Sequence, residues 1–246
     1  MQLRVVNLYP DQMNIYADRG NILFLGMRCR WREIDFVVHG CGLGDAFDPD
    51  ECDLLYIGGG QDRDQELVAR DLLASKSGAI QTAFSAGKVI LAVCGGYQLL
   101  GTEWETATGV HEGLGLVDVR TTRSERDRLI GPVLIETDFG GGPMSVAGFE
   151  NHGGRTYLGG QATPFGRVLS GHGNNDEDGF EGVMEGNLIG TYLHGPLLPK
   201  NYLLADRLIE AALGSRYGEL PELPKLDDRA ELEAHEGAVQ AALNAR

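Results

Sequence analysis

The segment Val89-Ile90-Leu91-Ala92-Val93-Cys94-Gly95-Gly96-Tyr97-Gln98-Leu99-Leu100 constrains the fold more than any other. Its first five residues form an unbroken apolar run, the signature of a strand buried on both faces of a parallel sheet. The strand leads into a cysteine, two glycines and an apolar helical start. That is the pattern of a nucleophile elbow, a sharp strand-to-helix turn that presents one side chain at the sheet edge. Small neighbours are needed because the turn is crowded. The dipole and N–H groups of the following helix favour a thiolate at its N-terminus, and the N–H of Gly95 is placed to bind an oxyanion. A merely structural buried cysteine would account for Cys94 but not for the Gly-Gly pair and helix that follow.

The first half of the chain repeats a β-α-β alternation around this segment. Strands are predicted at Leu3–Leu8, Asp35–Val38, Leu54–Ile57 and Val89–Val93, with helices over 14–28 and 63–86. The expected fold class is therefore α/β, with a doubly wound, mostly parallel sheet and flanking helices. The second half is richer in glycine and reads as shorter strands at 114–119, 132–137, 145–150, 166–170, 179–184 and 188–192, followed by a helix over 201–213. Near residue 217 the character changes. Glu219-Leu220-Pro221-Glu222-Leu223-Pro224 reads as an extended linker and 228–244 as a short Ala-rich helix. The expected division is a domain over 1–215 and a linker with helical tail over 216–246. Packing on the domain is the plainer expectation for that tail, a partner-docking arm the sharper one.

A second glycine-rich turn, Gly58-Gly59-Gly60-Gln61, also ends a buried strand. Strand C-termini of a parallel sheet share one edge, where sites gather, so this turn and Cys94 should lie together. An N–H from Gly60 would then supply a second oxyanion donor. The segment lacks the GxGxxG spacing of a dinucleotide-binding turn. A thiolate nucleophile needs a base. Of six histidines, His194 is best placed, after the apolar run at 188–192 and before Gly195-Pro196. His152, in Phe149-Glu150-Asn151-His152-Gly153-Gly154, is the runner-up, and the residues alone leave the choice open.

Composition excludes several function classes. A net charge of −15 would repel a phosphate backbone, which argues against nucleic-acid binding. The four cysteines, Cys29, Cys41, Cys52 and Cys94, contain no CxxC pair, so neither a zinc nor a redox motif is expected. The start MQLRVVNLYPD turns polar early, which predicts no signal peptide. No apolar run approaches the roughly 20 residues of a membrane span. A cytoplasmic protein with free thiols is the expectation.

Cys94-Gly95-Gly96-Tyr97-Gln98-Leu99, with the later Tyr192-Leu193-His194-Gly195-Pro196, resembles class I glutamine amidotransferases, and within them the branch holding the glutaminase domains of cobyric acid and cobyrinic acid diamide synthases. The N-terminal stretch Leu8-Tyr9-Pro10-Asp11-Gln12-Met13-Asn14-Ile15-Tyr16-Ala17-Asp18-Arg19-Gly20-Asn21 is similar to the start of glutaminase subunits of lipid II isoglutaminyl synthases. The resemblance spans roughly residues 1–215. It implies that Cys94 forms a γ-glutamyl thioester and that His194 is the base. It also implies that Gly60 and Gly95 make the oxyanion hole, and that Arg128, Gln98 and Gly59 contact the substrate glutamine. A guanidinium at Arg128 would suit the α-carboxylate. The implied partner is a Mur-ligase-like synthase subunit (MurT), joined as a heterodimer. It would receive the ammonia and, with ATP and magnesium or zinc of its own, amidate D-isoglutamate of lipid II in peptidoglycan synthesis. No cofactor or metal is implied for this chain, which has no Walker A motif.

The sequence departs from the wider class at one position. Most class I members carry a glutamate two residues after the catalytic histidine; here Pro196 stands there. The expectation is a Cys-His dyad whose third, orienting member cannot be named, a departure shared by the cobyric-acid branch. Other readings are an acceptor such as a corrinoid, a cysteine-dependent hydrolase of the same superfamily, or a non-catalytic module that kept the fold. The Gly58–Gly60 loop is the part expected to adjust when a partner binds.

Overall fold

The computed structural model of the chain describes residues 1–15, 18–219 and 222–245. Tyr16 and Ala17 of the N-terminal motif, and Leu220 and Pro221 of the linker, lie outside the described residues.

In chain order the elements are β1 (Gln2–Leu8), α1 (Arg19–Trp31), β2 (Asp35–Cys41), β3 (Leu54–Ile57), α2 (Asp62–Asp71), α3 (Ser77–Ser85), β4 (Val89–Val93) and α4 (Gly95–Leu100). The second half adds β5 (Glu103–Thr106), β6 (Gly109–Glu112), β7 (Val119–Arg123), β8 (Leu129–Thr137), β9 (Met144–His152), β10 (Gly154–Leu158), β11 (Gly166–Ser170), β12 (Phe180–Glu181), β13 (Val183–Glu185) and β14 (Leu188–Thr191). Helices α5 (Tyr202–Tyr217) and α6 (Arg229–Asn244) close the chain.

The central sheet has the order β13-β14-β4-β3-β1-β2. All its pairings are parallel except β13 with β14. The fold is α/β with a mostly parallel central sheet and flanking helices, as the apolar runs predict. Strands β3, β4 and β14 are buried at every residue, so no face of them carries a polar alternation. Their C-terminal ends carry Gly58, Cys94 and Tyr192 to one edge. Two smaller sheets, β10-β7-β5-β6 and the antiparallel β12-β11-β8-β9, stand beside the main one.

Several elements differ from expectation for identifiable reasons. The first helix begins at Arg19, not 14, and the Asn14 side chain accepts the Arg19 N–H at 2.9 Å. The helix over 63–86 is broken by a wider π turn at Leu72–Lys76, where buried Lys76 pairs with Asp71 and lies 4.9 Å from the Tyr9 ring centre. Residues 114–118 are not strand. They fold back on α4, and the N–H groups of Leu114 and Leu116 reach the Leu99 and Leu100 carbonyls at 2.8 and 2.9 Å. Those carbonyls end a helix and have no partner within it. The hairpin of β5 and β6 was not legible, because of its strand residues only Trp104 is buried.

The tail packs on the domain. Ala242 of α6 is buried with Leu134 and Ala147 of the antiparallel sheet, and its carbonyl accepts from Ser170 at 2.8 Å. The linker is held by two arginines, Arg28 of α1 and Arg32 just past its end. Buried Arg28 pairs with Asp206 and Asp228, while Arg32 donates to Asp206 at 2.6 Å and to the Pro224 carbonyl at 2.9 Å. Buried guanidinium groups need this full pairing, since one left unmatched costs about 3–5 kcal/mol. Among the described residues no helix is long and apolar enough to cross a membrane.

Candidate active site

Cys94 occupies the turn between β4 and α4 with φ 52° and ψ −108°. A non-glycine residue is strained there and is held only by its surroundings. One restraint is the Cys94 N–H, which donates to the Thr191 carbonyl of β14 at 2.7 Å. The glycines that follow are required by contact. A Cβ on Gly96 would lie 2.7 Å from the Ile57 carbonyl oxygen and 2.9 Å from that of Gly58. A Cβ on Gly95 would lie 2.9 Å from Gln65 Oε1 and 3.2 Å from the Gly60 nitrogen. The Gly60 and Gly95 amides are thus near neighbours at the mouth of the elbow.

His194 follows β14 and is fixed by a two-way backbone bridge with Phe149, at 2.9 and 3.2 Å. Upstream, Thr191 Oγ1 and the Tyr192 N–H both donate to Glu181, at 2.8 and 2.6 Å. Burial pushes the Glu181 carboxyl up to about 8. The His194 ring is buried beside Cys94, and a Cβ built on Gly59 would touch both side chains. His152 is engaged differently. It is buried against Tyr192, rings stacked 3.6 Å apart and 4° from parallel, with Nδ1 2.9 Å from the Gly154 carbonyl oxygen.

The group that orients His194 is Asp18, which reading the sequence did not find. Its Oδ1 lies 3.2 Å from His194 Nδ1, and its Oδ2 accepts the Gly59 N–H at 3.0 Å. Asp18 is fully buried. Pro196, at the position of the usual glutamate, instead packs on α1: a Cβ on Gly20 would lie 2.5 Å from Pro196 Cγ. That close approach brings the start of α1, and with it Asp18, to the histidine. Burial pulls the His194 pKa down. The neighbouring Cys94 and the Asp18 carboxylate more than offset it, and the imidazole is pushed up to about 10. The imidazole is therefore suited to hold a proton beside the Cys94 sulfur in a site largely closed to water.

These groups open on a cleft of about 290 Å³ lined by Gly60, Gln65, Cys94, Gln98, Arg128 and His152 among others. Arg128 stands exposed at the mouth, where Nε donates to the Asn151 side chain and Nη2 to its carbonyl, both at 2.9 Å. Arg123 and Arg126 line the same mouth. Gly59 lies against Cys94 and His194, since an added Cβ would sit 2.8 Å from His194 Cε1 and 3.2 Å from Cys94 Cβ. The structure thus gathers Cys94, His194, Gly59, Gly60, Gly95, Gln98 and Arg128 at one edge of the sheet. Among the described residues no group of three or more His, Cys, Asp or Glu side chains is arranged to hold a metal ion.

Comparison with known proteins agrees with this architecture. A family model described as a CobB/CobQ-like glutamine amidotransferase domain matches residues 4–202. The GatD subunit of lipid II isoglutaminyl synthase (glutamine-hydrolyzing) from Staphylococcus aureus is 41% identical over 242 residues, 98% of this chain and 96% of that one. GatD from Streptococcus pneumoniae is 41% identical over 229 residues, 92% of this chain and 86% of that one. Among solved structures, a chain of PurLQS from Thermotoga maritima shares the fold with a TM-score of 0.59 at 18% identity, covering 89% of this chain and 100% of that one.

Proposed function

The chain belongs to the CobB/CobQ-like glutamine amidotransferase family, and from that premise we propose that it is the glutaminase subunit of a lipid II isoglutaminyl synthase. The observation that carries the chemistry is the line from Asp18 through His194 to Cys94 at the floor of a cleft with Arg128 at its mouth. Likeness to two GatD subunits over nearly the whole chain supports the acceptor.

The Cys94 thiolate, its proton held by His194, attacks the side-chain carbonyl carbon of L-glutamine. Negative charge develops on the oxygen beside the Gly60 and Gly95 N–H groups, which stabilise it more than they stabilise the ground state. The tetrahedral species collapses as His194 protonates the departing ammonia, leaving a γ-glutamyl thioester. His194, again neutral, then takes a proton from water, which attacks the thioester and releases glutamate. Asp18 holds His194 with the Nδ1 proton toward its own carboxylate, so that Nε2 serves the sulfur. Arg128 and Gln98 take the α-carboxylate end of the substrate.

Ammonia made in this way needs an activated acceptor. The partner is a Mur-ligase-like subunit (MurT) in a heterodimer, with ATP and its metal bound there, acting in the cytoplasm on the D-isoglutamate carboxyl of lipid II. Reconstitution with that ligase tests the proposal. With ATP, lipid II and L-glutamine, mass spectrometry should show the amidated stem peptide only when this subunit is present. Glutamate release without lipid II amidation, under conditions where the ligase amidates lipid II from free ammonia, would rule this acceptor assignment out.

A further inference from the structure

A buried amide outside the Asp18–His194–Cys94 line connects the helices that follow the two glycine turns. Gln65, on α2, is 3% exposed. Its Nε2 lies 3.4 Å from the Gly95 carbonyl oxygen and 2.8 Å from Gln98 Oε1. A backbone carbonyl only accepts, so Gly95 dictates that Gln65 presents its nitrogen. That nitrogen in turn needs an acceptor, so Gln98 presents Oε1 to it. Gln98 Nε2 must then face the Tyr192 hydroxyl, 3.0 Å away. The hydroxyl, accepting there, keeps its proton for the threonine pair beyond, Thr156 Oγ1 at 2.6 Å and Thr121 Oγ1 2.7 Å further on. The directions of the Gln65 and Gln98 amides are thus set in turn, and bonds in such a chain polarise one another. The His152 ring stacked on Tyr192 holds the ring plane of the third member.

Gln98 is the one residue of α4 that is not buried, and it lines the cleft beside Cys94. An amide with two of its groups engaged keeps one N–H and one lone pair for a ligand. Either flip of such an amide fits the same space, and the two flips offer opposite patterns to a substrate.

We infer that Gln65 is a positioning residue for glutamine recognition, locking the Gln98 amide in one flip so that the substrate meets a fixed donor and acceptor. The inference rests on the cleft at Cys94 being the glutamine site. Gln65→Leu removes the lock at similar volume, and Tyr192→Phe removes it from the other side of Gln98. Each should raise KM for L-glutamine about tenfold with kcat within about threefold, since ground-state contacts are lost and the Asp18–His194–Cys94 line is untouched. Because both act through one amide, the double variant should cost no more than the larger single change. Calorimetric binding of L-glutamine in the Cys94→Ala background should show the same losses. That readout needs no turnover, so it separates this inference from the assignment of the nucleophile. An unchanged KM in either variant, a fall in kcat alone, multiplying effects in the double variant, or equal binding in the Cys94→Ala background would overturn it.

Discussion

Asp18→Asn lowers kcat for glutamine hydrolysis by about 10³- to 10⁴-fold while leaving KM and Tm nearly unchanged. The substitution keeps shape and burial, and the new amide oxygen still accepts the Gly59 N–H that Asp18 Oδ2 now accepts at 3.0 Å. That bond fixes which way the amide points. Its NH₂ must then face His194 Nδ1, where Asp18 Oδ1 lies at 3.2 Å. A nitrogen facing a donor has to accept, so the imidazole proton moves to Nε2, beside the sulfur. In that tautomer His194 cannot take the thiol proton. Loss of the carboxylate also withdraws one of the interactions that raise the His194 pKa. Steady-state rates with a thermal melt check this, and a loss under about fivefold would remove Asp18 from the mechanism.

Gly59→Ala is expected to be the next most damaging, for a steric reason. The added methyl would lie 2.8 Å from His194 Cε1, 3.0 Å from Ile15 Cγ1 and 3.2 Å from Cys94 Cβ. Neither side chain can yield freely: the imidazole is bound to Asp18, and Cys94 sits on a strained turn. Misplacement on this scale costs about 10² in kcat/KM, and overpacking costs about 1–3 kcal/mol of stability. The flanking glycines are as tightly held. A Cβ on Gly58 would lie 2.3 Å from the Met13 carbonyl oxygen, and one on Gly60 2.5 Å from Met13 Sδ. The glycines of this loop therefore serve close approach, and any adjustment of the loop on partner binding has to carry residues 12–15 with it. Measured kcat/KM and Tm both equal to wild type would contradict the packing argument.

What was legible in the sequence follows from how local each feature is. Strands β3 and β4 were predicted to the residue because strands buried on both faces are unbroken apolar runs. Cys94 and His194 stand at the ends of such runs, so strand and turn together announced them. The strands of the smaller sheets have an exposed face and carry charge, and β5, β6 and β10 left no run to see. Asp18 was hidden for another reason. Its contact with His194 spans 176 positions and exists only because Gly20 lets α1 close on Pro196. The signal that was present is the pair itself: a proline where the usual glutamate stands, and an aspartate two residues before a glycine in the N-terminal motif. Gln65 is similar, since a polar residue in the first turns of a helix reads as solvated until the neighbouring helix is placed.

We propose that Cys94 is the nucleophile of a glutaminase whose ammonia serves a ligase partner. The most direct measurement is glutamate release from L-glutamine by wild type and Cys94→Ala, each with and without the co-expressed Mur-ligase-like subunit. Release should depend on Cys94 and rise when the partner is present. Release that persists in Cys94→Ala, or none from wild type in either condition, would contradict it.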